Sequence, residues 1–126
     1  MKTGRISLSS GIWRVFQAIT EGRKLRQQQA RFLIDYLKEF TEPIVLCGDF
    51  NDVSGSTVLR MFRKIGFLDA WWKSGLGFGF TYWGMKMRFR LDHILYKNNV
   101  FAASKTDVIK SVLSDHRMLI TTLEYL

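Results

Sequence analysis

The stretch Ile44-Val45-Leu46-Cys47-Gly48-Asp49-Phe50-Asn51 governs how the rest of the chain reads. Its four leading apolar residues do not alternate with polar ones, which predicts a short strand covered on both faces. Cys47, the single cysteine, reads there as a buried small hydrophobe rather than a nucleophile. Gly48 permits a tight exit from the strand. Asp49 and Asn51 lie two apart, so they point the same way if extended geometry continues one step further. A carboxylate beside an amide suits phosphoryl chemistry: the first can orient or deprotonate water, and the second can donate to a phosphoryl oxygen. The same pair also makes an Asx turn or a helix cap.

Upstream, residues 12–40 carry a helical pattern. Leu25, Gln29, Phe32/Leu33 and Leu37/Phe40 recur at three- and four-residue steps, with Arg23, Arg26, Arg31 and Lys38 between them. Gly22 predicts a division of this helix, and Pro43 its end. Downstream, residues 48–55 read as a loop. Ser56 then caps a second helix whose apolar face is Val58, Leu59, Phe62 and Ile65, closed by Gly66. A loop rich in glycine and aromatics leads to a short strand at 80–83. Further strands are expected at 89–96, about 105–109, and 118–125. Helix, strand, helix and then several turn-linked strands make an α/β arrangement with a mainly antiparallel sheet and flanking helices. The order does not alternate cleanly enough for a doubly wound dinucleotide fold.

Two further motifs sit where strands meet loops. In Arg90-Leu91-Asp92-His93-Ile94-Leu95, alternation puts Leu91, His93 and Leu95 on one face and Arg90, Asp92 and Ile94 on the other. Asp92 is then a carboxylate inside an apolar strand and needs a partner, for which an imidazole is suited. His93 faces away from it and reads as structural. In Ser114-Asp115-His116, before the last strand, Ser114 reads as a turn former because no nucleophile-elbow context surrounds it. Two histidines and one cysteine without zinc-site spacing disfavour zinc. Oxygen ligation from Asp49 and Asp115 suits Mg²⁺ or Mn²⁺ better.

Taken together, these motifs resemble the endonuclease/exonuclease/phosphatase superfamily, with its DNase I-like nucleases, inositol polyphosphate phosphatases and neutral sphingomyelinases. The likeness spans residues 23–126 and adds the helix with Arg26 and Gln29, Gly66-Phe67-Leu68-Asp69-Ala70 and Thr81-Tyr82. Residues 1–22 form a basic, poorly matched amino-terminal segment. The resemblance implies a four-layer α/β sandwich in the parent protein, of which this chain is the carboxyl-terminal half. It implies a catalytic set of Asp49, Asn51, Asp92 and His116. Asp49 would align water, Asn51 and His116 would hold the phosphate, Asp92 would orient His116, and Asp115 with Asp49 would serve the metal. The family's early Asn, principal metal-binding Glu and mid-chain His have no counterpart before Arg23. A half-site of this kind implies an inactive isolated fragment. It also implies a sheet face to be covered by the missing half or by self-association.

The composition fits that reading without selecting a substrate. A formal charge of +8, of which residues 1–40 carry +5, favours anionic partners such as nucleic acid, phospholipid or phosphate esters. Arg88, Arg90 and Trp83 favour a nuclease, with Trp83 stacking bases. Trp71-Trp72, Phe78 and Phe80 equally suit a lipid or inositol phosphate. A non-catalytic binding or scaffold module on the same fold is the alternative. No stretch approaches the roughly 20 apolar residues of a membrane span, and the amino terminus lacks a secretory apolar segment.

Overall fold

The computed structural model describes residues 8–84 and 86–126; the side chains of residues 8–16 and 19 are outside the description. The first seven residues of the basic amino-terminal segment therefore lie beyond it. Helix α1 runs Leu8–Leu37 without a break at Gly22, contrary to the expected division. Glycine inside a helix costs conformational entropy but breaks no hydrogen bond, so neighbouring turns carry it.

The buried stripe of α1 is rotated from the one the periodicity suggested. Ala30 and Ile34 are buried, and Leu33 and Leu37 pack beside them. Leu25 and Phe32 face outward, Phe32 with 77% of its surface exposed. Ala30 and Ile34 join Val58, Leu59 and Phe62 of α2 in one buried cluster. Helix α2 (Thr57–Lys64) forms as expected: Ser56 Oγ accepts from Leu59 N at 3.2 Å, and Val58, Leu59 and Phe62 are buried. Gly66, at φ +89°, supplies the left-handed turn that ends it.

Strands β1 (Val45–Asp49), β2 (Phe67–Asp69) and β5 (Asp92–Lys97) make an antiparallel sheet in the order β1-β5-β2. Its core joins Phe67 and Leu95 to Phe62, Leu59 and Ile34, with Leu46 and Phe50 packed against them. Helices thus cover one face. Strand β1 is not covered on both: Val45 and Cys47 are exposed on the other face, and Cys47 is a free, accessible thiol. A non-alternating apolar run predicts two covered faces, and here the second cover is absent.

A short helix α3 (Ala70–Ser74), capped by Asp69, follows β2 directly. The expected strand at 89–96 divides. Met87–Phe89 forms β4 and pairs with β3 (Tyr82–Gly84) as a hairpin, while β5 starts at Asp92. The break at Arg90–Leu91 frees Arg90 from the alternation that would have put it opposite His93. Strands β6 (Phe101–Ile109) and β7 (Met118–Tyr125) form a second ribbon with an irregularity between Ala103 and Lys105. Thr106 Oγ1 donates to Ala70 O at 3.2 Å and lies 2.7 Å from Thr121 Oγ1, tying β6 to α3 and β7. Met118 and Ile120 on β7 and Ile109 on β6 remain exposed.

A Cβ at Gly22 would meet only Arg26 Nη1, at 3.2 Å, the far end of a flexible side chain. Gly22→Ala therefore raises unfolding stability by about 0.5–1 kcal/mol, measurable by urea titration. A loss of stability would show that Arg26 cannot move aside.

Candidate active site at three strand ends

Asp49 ends β1 and Asp92 begins β5, and the antiparallel register sets the two residues opposite each other. His116 reaches them from the turn before β7. Two hydrogen bonds hold that turn on the hairpin as an antiparallel bridge between Tyr82 and His116: Trp83 N donates to Asp115 O at 2.9 Å, and Arg117 N donates to Thr81 O at 2.6 Å. Ser114 Oγ accepts from His116 N at 3.0 Å, the turn-forming role expected of it. Thr81 is fully buried, and its Oγ1 accepts from both Leu91 N and Asp92 N at 3.1 Å. One hydroxyl thus fixes the backbone from which Asp92 projects.

His116 Nδ1 donates to Asp92 Oδ2 at 2.8 Å, giving the Asp92 carboxylate the imidazole partner its strand position demanded. That contact settles the tautomer, because a carboxylate oxygen only accepts. The ring's Nε2 turns to Asp49 Oδ2 at 3.9 Å, beyond hydrogen-bond reach but within electrostatic reach. The Asp92 hydrogen bond raises the His116 pKa above the ordinary imidazole value. Partial burial opposes the shift, and the negative charges of Asp92, Asp49 and Asp115 add to it.

Asn51 does not share Asp49's direction. Extended geometry stops at Asp49, and Asn51 takes φ +50°. Its backbone N donates to Asp49 Oδ1 at 2.8 Å, so the turn reading of this pair is realised. Asparagine is among the residues that tolerate such a φ. The same bond turns Asp49 Oδ1 toward the loop and leaves Oδ2 toward His116. Asp115 is exposed, with its carboxylate 3.5 Å from Ser114 Oγ. It does not join the other acidic groups.

Among the described residues, metal-ligating atoms of Asp49, Asp92 and His116 lie within 4.8 Å of one another. Ligands of one Mg²⁺ at 2.0–2.1 Å are at most about 4.2 Å apart. Small side-chain rotations would bring this set into range, and two carboxylates suit a hard cation. Asp92 Oδ2 and His116 Nδ1 are, however, taken by each other, so Asp49 Oδ2 is the atom that could meet a divalent cation, with water, substrate or further residues completing the shell.

A second cluster beneath the loop was not assembled by sequence reasoning. His93 is fully buried, and its Nε2 donates to Asp52 O at 2.7 Å. Its Nδ1 faces Arg90 Nη1 at 3.0 Å and Asp69 Oδ2 at 3.1 Å. Arg90 Nη1 also bonds Asp69 Oδ2 at 2.7 Å, and its Nη2 donates to Ser54 Oγ at 2.6 Å. Arg26 Nε adds a contact to Asp52 Oδ2 at 3.3 Å. Burial pushes the Asp69 pKa up, but the His93 hydrogen bond and the Arg90 charge outweigh it and hold the carboxyl below its usual value. Arg90 is thus an internal ion-pair partner and not the substrate-facing cation its charge suggested. No local pattern announced this, because Arg90 lies in the break between β4 and β5.

The endonuclease/exonuclease/phosphatase family profile matches residues 19–116. The chain belongs to that family. A crystal structure of an endonuclease/exonuclease/phosphatase family protein from Bacteroides thetaiotaomicron shares its fold, with a TM-score of 0.63 and 24% identity. The match covers 80% of this chain and 45% of that one, so this chain spans less than half of its relative. No curated protein sequence matches. The family and the shared fold support the α/β class with antiparallel sheets.

Because its folded-state pKa is raised, protonated His116 adds stability that is fully present below the unfolded value and lost as pH rises through the folded one. An NMR titration is expected to find His116 above the ordinary imidazole value, and Asp92→Asn to bring it down. An unchanged value in Asp92→Asn would mean that another group sets the proton affinity.

Proposed function

We propose that this chain carries part of the active site of a divalent-metal-dependent phosphate-ester hydrolase. The observation that carries the reading is the convergence of Asp92, His116 and Asp49, with hydrogen-bonded and electrostatic separations of 2.8 and 3.9 Å. Family membership supports hydrolysis as the reaction class.

In this reading water attacks phosphorus, the ester P–O bond breaks, and negative charge grows on the phosphoryl oxygens. His116 Nε2, protonated because Asp92 holds Nδ1, donates to one of those oxygens. Asp92 stays ionised and orients the ring. Asp49 Oδ2 accepts a hydrogen bond from the attacking water and aims its lone pair. The Asn51 amide, on its left-handed turn, donates to the phosphate from the loop side. Asp49 would be this chain's carboxylate on Mg²⁺ or Mn²⁺, which would neutralise phosphate charge, while Asp92 serves His116.

The exposed Val45 and Cys47 on β1, and Met118 and Ile120 on β7, suit apolar faces on the two sheets that the other half of a sandwich would cover. A second copy of the chain is the other cover for those faces. The half-site reading predicts no measurable turnover by these 126 residues alone.

The test is Mg²⁺- or Mn²⁺-dependent hydrolysis of DNA, small phosphodiesters and phospholipids by a natural polypeptide that includes both halves. Asp49→Asn and His116→Ala are each expected to lower turnover by about 100- to 1000-fold. Unchanged turnover in both variants would sink the mechanism. A folded, ligand-binding polypeptide inactive on every substrate would favour the scaffold alternative.

A further inference from the structure

The hairpin face away from His116 carries cations and aromatic rings that the hydrolytic site does not use. Tyr82 and His116 share one side of the ribbon, their ring centroids 5.3 Å apart. Trp83, next along β3, projects to the other side, opposite Arg88 on β4. The Arg88 guanidinium lies 3.9 Å from the Trp83 ring centroid and that of Arg117 lies 3.6 Å from it. Two guanidiniums this close to one indole can only occupy its opposite faces. Neither forms an ion pair with a carboxylate among the described residues. Like charges held on one ring repel, and the edge of each guanidinium keeps unused N–H donors. An anion at that edge would relieve the repulsion and take up the donors.

Trp83 itself has no free face for a base. The neighbouring aromatics do. Phe80 packs edge-on to Trp83 at 6.4 Å, and Phe78 stacks on Phe80 at 5.3 Å with their planes 9° apart. Phe78 is 81% exposed and Trp72 67% exposed. Both line a cleft of about 360 Å³ together with Trp71, Gly77, Ser54 and Arg90. That volume is within the range of small-ligand sites. Arg90 is consumed by Asp69, His93 and Ser54, so the cleft offers flat apolar walls and no free charge.

We propose that this face binds single-stranded nucleic acid, with a base in the Trp72/Phe78 cleft and backbone phosphates on the Arg88–Trp83–Arg117 stack. Alternation of ring faces and unpaired guanidiniums matches the alternation of base and phosphate along a single strand. A duplex hides its base faces and could use only the guanidiniums. A lipid surface would take up the exposed Trp72 and Phe78 but offers no planar ring to stack on them. The inference deepens the phosphate-ester reading by naming a substrate class, and rests on it only for chemistry at His116.

The experiment is fluorescence anisotropy of the 126-residue chain with a labelled oligothymidylate of about 12 nucleotides, across a salt series. A duplex of equal length and phosphatidylserine vesicles serve as competing probes. Phe78→Ala is expected to weaken oligonucleotide binding by about 10-fold at every salt concentration. Arg88→Gln is expected to reduce the slope of log K against log salt by about 0.7, one phosphate contact. Arg88 and Phe78 are exposed, so both variants keep the fold, and circular dichroism checks this. The proposal is overturned if the chain does not bind the oligonucleotide, if it prefers duplex or vesicles, or if neither variant changes binding. The hydrolysis reading fails separately, when Asp49→Asn and His116→Ala leave turnover of the polypeptide with both halves intact while the Phe78 and Arg88 effects persist.

Discussion

The buried Asp69–Arg90 pair is the constraint on which the rest of the structure depends. Two charges taken out of water are costly unless every lone pair and proton finds a partner. Here the partners are distributed over the fold. Asp69 Oδ1 caps α3 through Trp71 N at 3.0 Å, while Oδ2 takes Arg90 and His93. Arg90 reaches on to Ser54, and His93 to the carbonyl of Asp52. The pair thereby joins the end of β2, the start of β5, the head of α3 and the loop that follows Asp49. Removing either charge would leave the other buried and unpaired, a loss of about 3–5 kcal/mol. The geometry of Asp49, Asn51 and Asp92 would be released with it.

The geometry at the strand ends follows from that scaffold. Asp92 is held by its register with Asp49 and by Thr81 Oγ1, so its carboxylate is presented to His116 instead of searching for it. The imidazole gains a raised proton affinity and keeps Nε2 clear of Asp92, 3.9 Å from Asp49 Oδ2. Preorganisation of this kind is what a charge-building reaction needs, because the dipoles are aligned before the charge appears. The surrounding surface is uncommitted by comparison, with Val112 and Leu113 on the preceding turn almost wholly exposed.

Legibility in the sequence tracked the locality of the physics. The Ser56 cap, the apolar face of α2 and the last strand were readable because each depends on residues a few positions apart. The need of Asp92 for an imidazole was readable from burial alone, although the choice of His116 came from resemblance. Long-range facts were not readable. Periodicity places a stripe on α1 but not the rotation chosen when Ala30 meets α2. The run 44–47 announced a strand, but not that one face would stand uncovered and leave Cys47 accessible. Arg90 looked like a surface cation because the strand break that turns it inward has no local signature. Asn51 kept the candidate role while losing the predicted direction, since the Asp49 carboxylate captured its backbone N–H.

The claim that Asp92 acts only through His116 is tested most directly by a double-mutant cycle on kcat/KM. The cycle compares Asp92→Asn, His116→Ala and both together in a catalytically competent polypeptide containing this chain. The account predicts that the double variant loses no more than His116→Ala alone, because the carboxylate has nothing left to orient. Losses that multiply would contradict it, showing that Asp92 serves the reaction independently of the imidazole.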